Sequence, residues 1–413
     1  MSKLLITNIG LLATPTGCAA KSGREQGEIL KLKNAWIMTE DGLITEIGTG
    51  EPPVMELERC FEAVDAGGCL VTPGLVDAHT HLVFGGFRQH ELADKLRGKT
   101  YLEILAAGGG ILSTVRATRA ASEDELAAKA RAALAEMLTC GVTLCEAKSG
   151  YGLSTKEELK QLRVVRELQS SQPVELVSTF LGAHAVPPEY KNDKDGYVRL
   201  ICEEMLPGVA REDLAEYCDV FCETGVFTVE ESRKILEAGL ALGLKAKIHA
   251  DEIDALGGAR LAGELGAVSA EHLIAVTKQG IESMKRGGTI ACLLPATSFY
   301  LGAEYAPARS FIEAGVPVAL ATDYNPGSCP SLNLQLVMNL ACLKDRMTPE
   351  EVLTAVTLNG AAAVGRAGTH GSLEAGKKAD LLIWDAEDLD YICYRFGSNL
   401  VRTVIKNGLP QSS

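Results

Sequence analysis

Asp77-Ala78-His79-Thr80-His81 follows the apolar run from Leu70 to Val76 and precedes the glycine-rich segment Leu82-Val83-Phe84-Gly85-Gly86. In an extended strand alternate side chains share a face, so His79 and His81 point one way while Ala78 and Thr80 point the other. Two imidazoles aimed at one point can share a cation. A His-x-His pair also arises by chance on strands, so the positions of the other histidines decide its meaning.

Outward from this stretch, apolar runs at residues 70–82, 141–148, 174–184, 218–225, 244–252, 267–273, 288–294 and 317–323 alternate with helix-compatible segments. Residues 122–138 open with Ser-Glu-Asp-Glu, and Thr228-Val229-Glu230-Glu231 reads as a capping box. Strand-plus-helix units in succession specify an α/β fold with a parallel sheet, and eight of them close into a (β/α)8 barrel of the TIM-like kind. An open doubly wound sheet is the alternative, but its glycine fingerprint is missing. Gly98-Lys99-Thr100 resembles the end of a phosphate loop, yet Ala93 stands where the first glycine belongs. That piece and Gly108-Gly109-Gly110 read as loop geometry near the site.

Strand-like runs return at both ends of the chain: Leu4-Leu5-Ile6, Ala35-Trp36-Ile37-Met38 and Leu43-Ile44-Thr45-Glu46-Ile47 near the start, then Asp380-Leu381-Leu382-Ile383-Trp384 and residues 400–405. Neither group carries enough apolar surface to fold alone. Asp41-Gly42 and Asn407-Gly408 read as hairpin turns. The economical reading is a small composite β-sandwich domain made of residues 1–66 and 370–413, with the catalytic barrel, residues 67–369, inserted between them. A chain of 413 residues suits one large domain plus a smaller one.

The composition, 46% hydrophobic and 23% charged, is that of an ordinary soluble globular protein. A net charge of -14 would repel a phosphate backbone, which argues against nucleic acid as a partner. The apolar run at Leu4-Leu5-Ile6 is too short for a signal peptide, and no stretch approaches a membrane-spanning length. The expectation is a cytoplasmic protein with no membrane partner. Cysteines such as Cys140, Cys145, Cys218, Cys222 and Cys292 fall in strand-like runs and read as reduced, buried thiols. Cys218-x-x-x-Cys222 lacks the second pair of a structural zinc site.

Chemistry in such a barrel sits at the C-terminal ends of the strands. There the sequence places His79 and His81, Glu146 and Lys148, His184, Glu223, His249 and Glu252, Glu271 and His272, Thr297, and Asp323. Five of the seven histidines therefore fall at strand ends, which scattered surface histidines would not do. His79, His81, His249 and Asp323 offer the nitrogen donors and carboxylate that suit one Zn2+ or Fe2+ ion with a position open for water. Such an ion makes a bound water far more acidic. Asp323, Glu252 and His272 are the candidates for moving protons. Lys148 reads as a salt-bridge partner of Glu146 or Glu223.

Laid out this way, the chain resembles the amidohydrolase superfamily, with its His-x-His on the first strand, later histidines on the fifth and sixth, an aspartate on the eighth and a β domain built from both termini. The stretches Asp77 to Arg88, Ala147-Lys148-Ser149-Gly150-Tyr151-Gly152-Leu153, Phe180-Leu181-Gly182-Ala183-His184, Ile248-His249-Ala250-Asp251-Glu252 and Ala321 to Ser328 carry a narrower likeness. They resemble the branch that opens the ring of 4-imidazolone-5-propanoate to N-formimidoyl-L-glutamate in histidine degradation. That resemblance implies that Arg88 grips the substrate carboxylate through its planar fork. It implies that Tyr151 supplies a hydroxyl, that His184 hydrogen-bonds the ring, and that Asn325, Gly327 and Ser328 line the pocket. Glu252 would contact a ring nitrogen and handle a proton, while His272 would polarise the carbonyl. One ion is implied, because relatives with two bridge them through a modified lysine on the fourth strand and residues 218–225 contain none. A homodimer is implied as well. A deaminase of a cyclic amidine or nucleobase could use the same ion and acid-base set; Arg88 separates the two, since a neutral base needs no cation. A catalytically dead barrel kept for binding would have lost ligands, and none is lost here.

Overall fold

The apolar run that opens at Leu70 is not one strand but two, divided at Pro73-Gly74 between two sheets. In the computed structural model, which describes residues 3–52, 62–98 and 109–411, the chain begins with β1 (Lys3–Thr14), β2 (Leu30–Glu40), β3 (Leu43–Thr49), β4 (Glu62–Asp65) and β5 (Leu70–Pro73). The barrel strands follow: β6 (Leu75–Asp77), β7 (Val142–Lys148), β8 (Glu175–Ala183), β9 (Tyr217–Cys222), β10 (Lys245–Ala250), β11 (Ser269–His272), β12 (Ile290–Leu293) and β13 (Val318–Leu320). Last come β14 (Leu381–Trp384), β15 (Val401–Lys406) and β16 (Leu409–Pro410). β5 pairs with β1 and β14, whereas β6 pairs with β7. A Cβ on Gly74 would collide with Thr143 on β7, so only glycine lets the chain cross there.

The second sheet runs β16-β15-β14-β5-β1-β2-β3, with β4 beside β1, and so draws on both ends of the chain. Leu4, Ile6, Leu12, Ile37, Leu381 and Ile405 bury its apolar face in one cluster. Both expected hairpin turns form with two successive left-handed residues, Asp41 and Gly42 at φ 49° and 82°, Asn407 and Gly408 at 49° and 72°. That is the backbone a two-residue hairpin loop requires.

The barrel strands are parallel and stand in chain order, β6 to β13, one for each expected run. The seam between first and last strand closes just beyond their ends. Asp323 N donates to His79 O at 3.0 Å and His81 N donates to Tyr324 O at 2.9 Å. Asp77 stitches the same seam by accepting from Thr322 N at 3.0 Å and Thr322 Oγ1 at 2.6 Å. Burial pushes its carboxyl up to about 7 against those hydrogen bonds. The helices Glu123–Thr139 and Val229–Ala241 start with complete capping boxes on Ser122 and Thr228.

The described cysteines are all free thiols, and Cys218 and Cys222 are fully buried in the core. No helix among the described residues is long and apolar enough to cross a membrane. Lys99, Thr100 and Gly108 of the two glycine-rich pieces lie outside the described residues.

Candidate active site

Strand ends remote in sequence bring five imidazoles together at the barrel mouth, those of His79, His81, His184, His249 and His272. The ring of His79 lies 5.4 Å from that of His81, 4.6 Å from His249 and 5.8 Å from His272. His81 and His249 are 5.5 Å apart. Asp323 Oδ1 sits 3.4 Å from His79 Nε2 and 3.5 Å from His81 Nε2. Its backbone is left-handed at φ 56°, and Thr297 Oγ1 donates to its other oxygen at 2.7 Å. Among the described residues the donor atoms form three overlapping groups, His79-His81-Asp323, His79-His249-His272 and Asp219-His249-Glu271, each with its atoms within 4.8 Å of one another. His79 belongs to the first two and His249 to the last two.

Charge and hydrogen bonding in this cluster fit a cation. Burial first, then neighbouring positive charge, holds His79 and His81 well below the ordinary imidazole range. Burial likewise pushes His272 down to about 4 and His184 to about 3. Neutral imidazoles keep a lone pair for a metal. Both nitrogens of His79, Nδ1 of His81, Nε2 of His249 and Nδ1 of His272 are buried without a hydrogen-bond partner. Each such orphan costs about 1–3 kcal/mol. Several gathered at one place, with a carboxylate between them, match the donor set of Zn2+ or Fe2+.

His249 differs from the others because of Asp219 on β9, which the sequence reading did not single out. Its Nδ1 lies 3.0 Å from Asp219 Oδ2, at ion-pair distance though off the line of an ideal hydrogen bond. Burial lowers the His249 pKa, but Asp219 outweighs it and leaves it above the usual value. Asp219 is pushed up by burial, yet His249 and Lys148 pull it well below the carboxylate range. Lys148 is ion-paired with Glu146 at 3.2 Å and with Asp219 at 2.8 Å, not with Glu223. Glu223 instead accepts from the backbone of Thr224, Ile253 and Asp254 and so pins the loop that carries Glu252. Glu252 Oε2 lies 3.6 Å from His272 Nε2, and burial raises its carboxyl to about 7 against the pull of His249.

The proposed substrate contacts divide into two kinds. Arg88 is not a bare cation, because Glu91 takes its Nε and Nη2 in hydrogen bonds of 3.0 to 3.1 Å. Glu91 is itself 3% exposed and also accepts from Gly110 N. The guanidinium packs so closely on Gly327 that a Cβ there would strike Arg88 Nη1. His184 stacks on His81 with ring centroids 4.8 Å apart, and its Nδ1 meets Gly150 O at 3.0 Å. Tyr151 is buried with its ring 5.7 Å from His81 and 5.2 Å from His184. Its loop is held by the buried carboxylate of Glu158, which accepts from Gly150, Gly152 and Leu153. Asn325 ties its own loop together. Its Oδ1 accepts from Gly327 N and Ser328 N at 2.8 Å each, and its Nδ2 donates to Asp323 O and Ser328 Oγ.

The amidohydrolase family model matches residues 70–409, and the chain belongs to that family. An imidazolonepropionase of Alkaliphilus metalliredigens (strain QYMF) is 52% identical over 411 residues, covering 99% of this chain and 97% of that relative. One from Shouchella clausii (strain KSM-K16) is 54% identical over 391 residues, 94% of this chain and 88% of that relative. Within the amidohydrolases the chain therefore belongs with the imidazolonepropionases. Among solved structures, a zinc-complexed atrazine chlorohydrolase from Arthrobacter aurescens TC1 superposes with a TM-score of 0.74 at 19% identity, over 98% of this chain and 94% of that one. An adenosine deaminase from Xanthomonas campestris with bound zinc gives 0.72 at 19% identity, over 99% and 92%. At that identity the likeness is one of fold.

Proposed function

We propose that this chain hydrolyses 4-imidazolone-5-propanoate to N-formimidoyl-L-glutamate, cleaving a carbon–nitrogen bond of a cyclic amide. The observation that carries the reading is a partly buried arginine fork, Arg88, on the same short segment as the His79 and His81 pair. A carboxylate on the substrate and a ring amide to be opened match those two features. Relatives more than half identical over nearly the whole chain favour this reading over a deaminase.

His79, His81, His249 and Asp323 would hold one divalent ion, Zn2+ or Fe2+, which when bound acidifies water and polarises a carbonyl. Arg88 binds the propionate group, and Tyr151 and His184 orient the ring. Glu252 Oε2 takes a proton from the water whose oxygen adds to the ring carbonyl carbon. It returns that proton to the ring nitrogen as the carbon–nitrogen bond breaks. His272, a neutral imidazole, donates its N–H to the carbonyl oxygen as charge builds there. The reading carries with it a homodimer in the cytoplasm.

With Glu252 raised to about 7, its base form is lost as pH falls. The expected profile of kcat/KM is flat above neutrality and declines toward about tenfold per pH unit on the acid side. Glu252→Gln should lower kcat by about 100-fold or more and abolish that limb; a variant with an unchanged acid limb would assign the proton to another group. The function itself is tested by giving metal-replete protein freshly prepared 4-imidazolone-5-propanoate. N-formimidoyl-L-glutamate without ammonia is expected. Ammonia without the ring-opened acid would make the chain a deaminase.

A further inference from the structure

Beneath the histidine cluster the barrel interior holds five ionisable side chains with no solvent exposure, Glu146, Lys148, Asp219, Lys247 and Glu271. They form one row of alternating sign. Glu271 Oε1 lies 3.9 Å from Lys247 Nζ, which lies 2.9 Å from Glu146 Oε1. Glu146 is 3.2 Å from Lys148 Nζ, which is 2.8 Å from Asp219 Oδ2. That same Asp219 oxygen is 3.0 Å from His249 Nδ1, and Asp219 Oδ1 accepts from Val220 N at 2.7 Å. The two carboxylate ends of the row, Glu271 and Asp219, both approach His249, with donor atoms of all three within 4.8 Å of one another, and it is Asp219 that stands at 3.0 Å from Nδ1.

Such a row is a poor device for stability alone, since buried ion pairs are often no better than apolar side chains of the same volume. Its Asp219 end makes sense if it serves His249. We propose that Asp219 is a positioning residue for His249, keeping the proton on Nδ1 so that the Nε2 lone pair is the one presented to the ligand cluster. Lys148 grips the oxygen that faces His249 and fixes the direction of the carboxylate. Outer carboxylates of this kind set the tautomer and basicity of a metal-binding imidazole. Asp219 touches none of the proposed substrate contacts, so its effect falls on ion affinity and not on substrate binding. This rests on the reading of His249 as a ligand.

The test is Zn2+ affinity of the purified full chain, read by competition with a chromogenic chelator, for wild type, Asp219→Asn, Asp219→Ala and His249→Ala. Asp219→Ala is expected to weaken Zn2+ binding by about 10- to 100-fold. Asp219→Asn, whose amide oxygen still accepts from Nδ1–H, should recover part of that loss, with KM for substrate at saturating Zn2+ unchanged in both. If the alanine variant does not fold, the isosteric asparagine decides, with an affinity below wild type expected. Wild-type affinity in Asp219→Asn and Asp219→Ala, beside a weakened His249→Ala, overturns the proposal alone. Wild-type affinity in His249→Ala overturns the ligand reading and this proposal with it.

Discussion

Alanine in place of His79 is expected to lower kcat by about three orders of magnitude or more and to leave the purified protein without its ion. His79 joins the group that holds His81 and Asp323 to the one that holds His249 and His272, and neither of its ring nitrogens has a hydrogen-bond partner. Its side chain is fully buried among the other donors. Even partners one layer further out are worth about 10- to 100-fold in affinity, and a shared ligand must exceed that. Turnover measured beside metal content after dialysis checks the point, with circular dichroism to show that the fold survives. Near-wild-type turnover and metal content in a folded variant would remove His79 from the site.

Arg88→Ala carries the second large effect, an increase in KM of about 100-fold or more. Truncating one side of a buried charge pair costs about 2–5 kcal/mol, and 1.4 kcal/mol is tenfold. The loss has two parts. The substrate carboxylate loses its fork, and the negative charge of Glu91, which Arg88 offsets through a 3.0 Å ion pair, is no longer balanced by it and repels the substrate. Adding Glu91→Gln to the alanine variant should therefore recover part of the binding. Arg88→Lys should recover little, since an ammonium cannot serve Glu91 and the substrate with two parallel bonds each. An unchanged KM in Arg88→Ala would mean that the carboxylate binds elsewhere.

The parts of this architecture that follow local rules were legible in the sequence. Alternation placed His79 and His81 together, Asp41-Gly42 and Asn407-Gly408 announced their hairpins, and Ser122 and Thr228 announced their helices. The split at Gly74 was hidden because both halves of residues 70–82 are equally apolar, although Pro73, which has no N–H to give a ladder, marked the spot. The row under the site was hidden for a related reason. Parallel strands are covered on both faces and read as continuous apolar runs, so beyond the pairing of Lys148 with Glu146 or Glu223, Asp219, Lys247 and Glu271 were not joined to them. Their spacing at alternate positions on neighbouring strands is the signal that would have found them. Side-chain partners set by loop geometry were beyond reach. Nothing local says that Asn325 bonds its own turn, that Glu158 holds the Tyr151 loop, or that Glu91 pairs with Arg88 apart from a separation of three residues.

His79, His81, His249 and Asp323 are proposed to converge on one divalent ion that the chemistry needs. Metal analysis of the purified chain, repeated after chelation and after adding Zn2+ or Fe2+ back, tests it most directly. About one equivalent per chain is expected, with turnover of 4-imidazolone-5-propanoate lost on chelation and restored with the ion. Full turnover by chelated, metal-free protein would contradict it.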